Sequence, residues 1–190
     1  MILFLVCSIS AADVWKLEKS MGTVKAYTAD IGKPFKKIKV NCPMNAPFNK
    51  VFDEYFKVEE QHTWMSEIPA SQLLKKESDN VWYTRYEVKF PFPMKNRELI
   101  YKMTKTTTDN EILVNYTAVP NYLPENKDFI RMTISSGYWK FTKVTATTST
   151  CETGAYNETA GVPAWIVNMF IVDIPTNTMN NFKKRIEGTK

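Results

Sequence analysis

Few residues of this chain could take part in covalent or metal chemistry. His62 is the only histidine, so a histidine-based nucleophilic mechanism would depend on that one side chain. Zinc sites usually draw several His or Cys ligands, whereas this chain has one His and three Cys. No Gly-rich phosphate motif or nucleophile elbow occurs. The sequence therefore predicts no metal, no cofactor and no catalytic residues, and it favours a surface or cavity-mouth position for His62.

Arg97 and Arg131 are the charged residues best suited to bind the carboxylate or head group of a ligand. An arginine at the edge of a sheet can instead form an ion pair that holds a loop in place. Glu87 and Glu98 are the candidate partners for such a pair. We favour the structural ion pair and keep head-group binding as the alternative.

Aromatic residues make up 13% of the chain, while glycine occurs only six times. Aromatic side chains bury large areas and often line cavities, although most of them simply fill the core. With 44% hydrophobic and 24% charged residues, the composition is that of a globular protein. A chain of 190 residues is long enough for one domain that has both a core and an internal cavity.

The formal net charge is +5, and the densest basic clusters lie between Lys33 and Lys39 and between Lys183 and Arg185. Neither cluster has interleaved aromatic residues or a nucleic-acid-binding motif, so no nucleic-acid partner is predicted. Lys and Arg near an anionic bilayer contribute about 1 kcal/mol each, which leaves transient membrane contact open. A solvated basic face that keeps the protein soluble explains the same charge. The protein is expected to be a monomer.

Residues 2–12 form a short apolar run that ends in small residues before Asp13. The run is too short to span a bilayer and resembles the end of a secretory signal peptide, although a charged start is missing. We therefore predict a signal-peptide remnant at 1–12, export to the periplasm or out of the cell, and a single domain at 13–190. The alternative is a cytoplasmic protein in which this run is a strand or helix packed on the domain.

Cys42 and Cys151 would remain after removal of residues 1–12, and two cysteines in an exported protein could form a disulfide. The strands that hold them are expected to run antiparallel, so that the late end of one meets the early end of the other. We therefore expect the two thiols to lie apart.

Hydrophobic periodicity divides the chain into a mixed N-terminal part, a run of strands and a C-terminal helix. Val14, Leu17 and Met21 share one helical face, and from Ser71 onward the apolar residues alternate with period two. A turn is predicted at Ser136-Gly137. The predicted helices are 13–20, 47–57 and 59–67, and the predicted strands are 24–29, 35–42, 73–77, 82–90, 97–107, 111–119, 129–135, 138–144 and 146–156.

Gly161 and Pro163 open the last predicted helix, because proline suits the first turn. This helix would extend to Glu187. Pro175 should kink it near Ile171 or Val172, because proline removes one helical hydrogen bond. The order of elements predicts an α+β protein.

Three motifs, in this order, resemble the START (steroidogenic-acute-regulatory-protein-related lipid transfer) family of the helix-grip superfamily. They are Phe90-Pro-Phe-Pro-Met-Lys-Asn-Arg97-Glu98, Ile130-Arg131 with Ser136-Gly137-Tyr-Trp139, and Gly161-Val-Pro-Ala-Trp165-Ile-Val-Asn168. Glu98 stands where Asp is usual. The likeness covers about residues 14–188, and the three motifs in order are more specific than any one of them.

The resemblance implies a strongly curved antiparallel sheet around a long C-terminal helix, with an internal tunnel that holds one sterol, phospholipid, fatty acid or other apolar molecule. It also implies a gate made by this helix and the loop from Pro91 to Asn96. The expected tunnel-lining residues are Trp64, Met65, Trp82, Tyr86, Val88, Tyr101, Met103, Val114, Tyr116, Met132, Trp165, Asn168, Met169 and Val172. The expected gate-loop residues are Phe92, Pro93, Met94 and Arg97.

One departure from the family concerns charge inside the tunnel. Several sterol-binding members have a buried acid and a buried arginine on adjacent strands, and Tyr86 and Met103 occupy those positions here. The polar groups facing a ligand would then be the hydroxyls of Tyr86, Tyr101 and Tyr116. Without the ion pair, the sequence does not support a specific claim for a sterol.

The sequence thus predicts a non-catalytic protein that binds one lipid-like molecule, and it leaves transfer of that molecule open. The alternative is an aromatase/cyclase-like enzyme that uses Tyr and Arg groups to orient a polyketide or other hydrophobic substrate. The single histidine and the apolar strand faces argue against this alternative. A regulatory domain on the same scaffold is a third interpretation.

Overall fold

The computed structural model describes residues 13–159 and 161–188. Residues 1–12, which carry the predicted signal-peptide remnant, lie outside the described residues, so export stays a prediction. None of the helices in these ranges is long and apolar enough to cross a membrane.

Ten strands in the described ranges form one curved sheet, which is antiparallel except where the short β8 pairs with β6. The order of neighbours is β1-β2-β3-β10-β9-β7-β6-β5-β4. The strands are β1 Trp15–Met21, β2 Val24–Ala29, β3 Lys37–Met44, β4 Ala70–Lys76, β5 Val81–Val88, β6 Arg97–Thr107, β7 Glu111–Ala118, β8 Ile130–Arg131, β9 Ile134–Lys143 and β10 Ser149–Glu158. The helices are α1 Phe48–Tyr55, a 3₁₀ helix Val58–Thr63, α2 Ala164–Phe170 and α3 Asp173–Glu187. The predicted α+β helix-grip architecture is confirmed.

The core lies between the inner face of the sheet and the helices α1 and α3. On β5, the alternate residues Trp82, Thr84 and Tyr86 are buried, while those between them are partly exposed. Phe182 of α3 packs on Trp64, which follows the 3₁₀ helix, with ring centroids 4.4 Å apart. The helix is therefore held against the sheet by aromatic packing.

The C-terminal helix is divided into α2 and α3 by a break at Ile171 and Val172, as the position of Pro175 predicts. Pro175 lies in the first turn of α3, where backbone N–H groups have no carbonyl acceptor within the helix. Proline at this position therefore costs no helical hydrogen bond. The break leaves the short α2 beside the cavity described below, and α3 across the core.

The predicted helix at 13–20 is wrong, because these residues form the edge strand β1. Gly22, with φ +60°, lies in the turn that brings β1 onto β2. Val14 and Leu17 are exposed, and only Met21 of the supposed apolar face packs on the core. A spacing of three and four residues was not enough to distinguish a helix from an edge strand.

Ser136-Gly137 is not a turn, because both residues lie inside β9. The Tyr116 hydroxyl lies against Gly137 and donates to the Gly154 carbonyl oxygen at 3.3 Å. A Cβ at position 137 would overlap this hydroxyl and the Gly154 carbonyl. Glycine is thus required here by a close approach across the sheet, and not by a turn.

Cys42 and Cys151, which were expected to lie apart, are directly paired between β3 and β10. That expectation is wrong because strand direction alone does not fix the register. Both thiols are buried and free. Directly paired residues of antiparallel strands have Cα atoms about 4.5–5.5 Å apart, within the range that disulfides span.

We expect Cys42 and Cys151 to become linked when the unfolded chain is refolded with glutathione disulfide as the oxidant. The linked protein should be more stable by about 2–4 kcal/mol, because the cross-link constrains the unfolded chain. Peptide mapping should find a Cys42–Cys151 peptide in the wild type and none in Cys151→Ser. Full alkylation of both thiols after refolding would contradict the prediction.

Candidate ligand-binding site

Two cavities lie between the inner face of the sheet and the C-terminal helices. The inner chamber has a volume of about 180 Å³ and the outer chamber about 510 Å³. The two chambers are contiguous because seven residues border both of them: Ile38, Ile68, Leu99, Tyr101, Ala155, Ile174 and Pro175. Together they fall within the roughly 300–1,000 Å³ that small-molecule sites usually occupy.

The polar side chains on the wall of the inner chamber are a cluster of tyrosines and the hydroxyl residues Ser66, Thr153 and Thr178. Tyr86 donates to Gln61 Oε1 at 2.5 Å, and the Tyr101 hydroxyl lies 2.5 Å from Ser135 Oγ. Burial raises the pKa of Tyr86 and of Tyr101, so both hydroxyls stay protonated. No Asp, Glu, Lys, Arg or His borders this chamber within the described residues.

The outer chamber is larger and opens beside α2 and the loop from Pro91 to Asn96. Apolar side chains of α2, including Ile166 and Phe170, form one wall. Glu67 and Lys89 are the charged residues on the described part of its wall. This chamber can hold the bulk of an apolar ligand and keep a polar end near the surface.

The loop from Pro91 to Asn96 is held together at its two ends, whereas its tip is exposed. The Phe90 backbone N–H donates to Asn96 Oδ1 at 3.1 Å, which ties the two ends together. Arg97 is buried, with its guanidinium 4.4 Å from the ring centroid of Phe90, and it donates to the Lys95 carbonyl. Phe92 at the tip is 97% exposed.

A buried ion network holds the neighbouring loop. Glu98 accepts from the Arg85 Nε and, at 2.8 Å, from the Arg131 Nε. Arg131 also donates to the carbonyl oxygens of Pro120, Leu123 and Pro124. Arg131 therefore has the structural role that the sequence favoured, with Glu98 as its acidic partner.

The structure brings some of the predicted tunnel residues together around the chambers. Met65, Tyr86, Tyr101, Met103 and Tyr116 border the inner chamber. The outer chamber is bordered by the predicted tunnel residues Val88, Tyr101 and Met132, and by Met94 of the predicted gate loop.

Other predicted tunnel residues lie elsewhere. Trp64, Trp82 and Val114 are packed in the core, where α1 and α3 cover the sheet. Trp165 and Met169 point outward from α2, with 67% and 62% of their surfaces exposed.

Two further predicted residues of the C-terminal segment make protein contacts. Asn168 Nδ2 donates to the Pro34 carbonyl at 3.1 Å, and Asn168 Oδ1 accepts from the Lys36 N–H at 3.4 Å. Val172 packs on the core from the break between α2 and α3. In the gate loop, Pro93 is exposed like Phe92, and Arg97 is covered by Phe90.

Several wall residues were missed by the sequence analysis. Tyr55 borders the inner chamber, although the predicted helix 47–57 that holds it was given no part in the site. Ile38 alternates with lysines in a predicted strand, and this alternation was the one signal that it faces inward. The sequence gave no sign that Ala155 and Pro175 lie on the chamber wall. They are wall residues because the folded chain leaves empty space beside them.

The described residues contain no group of three or more His, Cys, Asp or Glu side chains that could hold a metal ion. His62 is exposed, and its Nδ1 lies 2.7 Å from the Glu59 carbonyl oxygen. The inner chamber is lined by apolar, aromatic and hydroxyl side chains, whereas the outer chamber also has Glu67 and Lys89 on its wall.

Comparison with known proteins gives a consistent result for the fold. No protein-family model matches the chain. An uncharacterized protein of Pseudomonas aeruginosa is 29% identical over 97% of this chain and 92% of its own length. A STAR-related lipid transfer protein of Xanthomonas axonopodis superposes with a TM-score of 0.84 and 25% identity over 91% of this chain and 98% of its own.

More distant structures share the fold. Human StAR-related lipid transfer protein 5 has a TM-score of 0.80 and 14% identity over 95% of this chain and 89% of its own. The Zhui aromatase/cyclase of a Streptomyces species has a TM-score of 0.52 and 11% identity over 81% of this chain and 98% of its own.

A curved antiparallel sheet that grips a C-terminal helix over an apolar chamber defines the helix-grip class. Within that class, the chain has the fold of the START-related lipid transfer domains. The resemblance inferred from the three sequence motifs is confirmed.

Proposed function

We propose that this protein binds and carries one apolar or lipid-like molecule without chemically changing it. The observation that carries the proposal is the pair of contiguous apolar chambers beneath α2 and α3. Burial of hydrocarbon supplies about 25 cal/mol per Å² removed from water, so a chain or ring system that fills the chambers would bind tightly. The proposal is supported by the lipid-transfer names of the similar START structures.

A catalytic role is less well supported by the chemistry of the site. An aromatase/cyclase needs groups that exchange protons with the substrate. The inner wall, as far as the structure describes it, offers tyrosines whose pKa is raised by burial and no carboxylate, lysine or histidine. Arg97, the arginine considered for substrate orientation, lies under Phe90 and is not on either wall.

The proposed carrier role is tested by what the purified protein holds. Native mass spectrometry of gently purified protein should show a complex with one bound molecule, and organic extraction should release a molecule with a long alkyl or ring system. Delipidated protein should take up one equivalent of such a molecule. Protein that is empty as isolated and binds no fatty acid, sterol, phospholipid, alcohol or hydrocarbon would overturn the proposal.

We further propose that the mouth of the outer chamber touches a membrane when the ligand is exchanged. Phe92, Trp165 and Met169 expose large apolar side chains on the two segments that border this chamber. Lys33 and Lys36 belong to the loop that contacts Asn168 on α2, so basic groups flank the apolar tips. Apolar tips beside basic side chains suit an anionic phospholipid surface.

The double variant Phe92→Ala/Trp165→Ala should bind vesicles of anionic phospholipid at least about tenfold more weakly, because each tip loses apolar contact worth about 1 kcal/mol or more. Co-sedimentation with vesicles measures this change. Val144→Ala is the matched control, since Val144 is an exposed apolar residue at the distant β9–β10 turn. Equal vesicle binding by the wild type and the double variant would contradict the membrane proposal.

A further inference from the structure

The helix α2 lies over the outer chamber without burying any of its own residues. Its Ile166, Val167 and Phe170 border the chamber, whereas Trp165 and Met169 are exposed on its outer side. A helix of seven residues is not stable by itself, because isolated helices shorter than about 12–15 residues are marginal in water. The position of α2 therefore depends on the contacts that hold it.

Apolar packing anchors the chain on both sides of α2. Val162, before the helix, is buried, and its backbone N–H donates to the Thr159 carbonyl at 3.3 Å. Val172, after the helix, packs on the core at the break that precedes α3. Movement of α2 away from the chamber is therefore controlled by the contacts that the helix makes between these two anchors.

Asn168 makes a contact of this kind from the middle of α2. Its Nδ2 donates to the Pro34 carbonyl at 3.1 Å, and its Oδ1 accepts from the Lys36 N–H at 3.4 Å. Both partners are backbone groups of the loop between β2 and β3. One side-chain amide thus uses its donor and its acceptor to join α2 to this loop.

The same loop and the strand β1 each supply a lysine that pairs with an acidic residue next to α2. Lys33 Nζ lies 3.8 Å from Glu158, at the end of β10, and Lys19 Nζ lies 2.5 Å from Asp173, at the start of α3. The side chains of Lys33 and Lys19 are 57% and 35% exposed. Exposed ion pairs contribute little stability, so another anion can replace the carboxylates at low cost.

Anionic phospholipid is the anion that the surroundings of these pairs favour. Trp165 and Met169 present large apolar side chains on the outer side of α2, which suits the boundary between head groups and acyl chains. Lys33 and Lys19 suit the phosphate groups of the same bilayer. A bilayer that attracts Lys33 would also draw on the loop whose backbone holds Asn168.

We infer that Asn168 is a latch that keeps α2 closed over the outer chamber in solution, and that anionic phospholipid opens it by competing for Lys33 and Lys19. Asn168 borders neither chamber, so it is a positioning residue that controls the rate of ligand exchange and not the affinity. This inference rests on the proposed carrier function and its membrane contact, and it specifies which residues control the opening.

The latch is tested by release of the uncharged apolar dye Nile red to excess cyclodextrin, followed by stopped-flow fluorescence. Asn168→Ala should release the dye about tenfold faster than the wild type, because the two described hydrogen bonds of the latch are lost. Uptake should accelerate by a similar factor, so the dissociation constant should change by less than about threefold. A residue that only supported the chamber wall would change the dissociation constant instead.

Asn181→Ala is the matched control for this variant. Asn181 lies on α3, donates from Nδ2 to the Trp64 carbonyl at 3.2 Å, and borders neither chamber. Its replacement removes a comparable side-chain hydrogen bond to the backbone, and both rates should stay within about twofold of the wild type. Equal acceleration by the two variants would overturn the latch, because the effect would then be a general loosening of the fold. Thermal unfolding checks that both variants are folded.

The role of anionic phospholipid is tested with vesicles as the acceptor of the dye. Vesicles of phosphatidylcholine with about a quarter of phosphatidylglycerol should release the dye from the wild type about tenfold faster than phosphatidylcholine alone, because both lysines are attracted to the anionic surface. Lys19→Gln/Lys33→Gln should lose most of this difference. Lys102→Gln/Lys143→Gln, which removes the same charge from exposed positions on β6 and β9, should keep it. Equal losses in the two double variants would overturn the competition for Lys33 and Lys19.

Failure of the latch and failure of the carrier function give different results. If the wild type binds the dye and Asn168→Ala exchanges it at the wild-type rate, the latch is overturned while the carrier function stands. Equal release from the wild type to neutral and anionic vesicles would overturn the opening by anionic phospholipid. If the wild type takes up neither Nile red nor any lipid, the carrier function and this inference fail together.

Discussion

Glu98→Ala should lower the free energy of unfolding by about 3–5 kcal/mol, because it leaves two arginines without their buried carboxylate. The Glu98 side chain is 3% exposed, and that of Arg131 is 6% exposed. Removing one partner of a buried ion pair leaves an uncompensated charge in a medium that solvates it poorly. The carbonyl contacts of Arg131 satisfy its N–H groups but supply no negative charge. Denaturant unfolding followed by tryptophan fluorescence measures the loss.

Glu87→Ala provides the matched control for this experiment. Glu87 lies directly opposite Glu98 on the neighbouring strand and binds the same Arg85, at 3.0 Å. Its side chain is 25% exposed, so water can replace it and the loss should stay below about 1 kcal/mol. Similar losses for the two variants would show that burial of the Glu98 network does not determine its contribution.

Ala155→Phe should weaken binding of the ligand that co-purifies with the protein by about 100-fold. Ala155 borders both chambers, so a phenyl ring at this position would take up space where the two chambers adjoin. A ligand excluded from the inner chamber would lose the burial of several methylene groups at about 0.8 kcal/mol each, which amounts to about two orders of magnitude in affinity. Displacement titration with the extracted ligand measures the change, and thermal unfolding checks that the fold is kept.

Thr150→Phe serves as the control for the added ring. Thr150 also lies on β10, an odd number of residues before Ala155. Because side chains alternate along a strand, its side chain points to the opposite face of the sheet. It pairs with Pro43 and Thr142, away from the chambers. This variant should keep the wild-type affinity, whereas full affinity in Ala155→Phe would show that the ligand does not pass this point.

The sequence by itself determined most of the strands and the class of the fold, with β1 and the middle of β9 as exceptions. Alternation from Trp82 to Phe90 fixed which residues of β5 face inward, since the two faces of a strand repeat every two residues. Pro175 determined the break in the C-terminal helix, because a missing N–H acts within one turn. The proline-containing motif before Arg97 indicated the START resemblance. Each of these signals involves residues that are close together in the chain, so a single sequence is enough to detect it.

Only the tertiary structure decided which inward residues border empty space. Trp82 and Tyr86 lie on the same face of β5, yet the Trp82 ring packs on Phe56, with centroids 5.0 Å apart, while Tyr86 borders the inner chamber. The register that pairs Cys42 with Cys151 likewise cannot be predicted from the sequence of either strand alone. Periodicity fixes the face of a residue, whereas coverage, register and hydrogen-bond partners depend on segments that are distant in the chain.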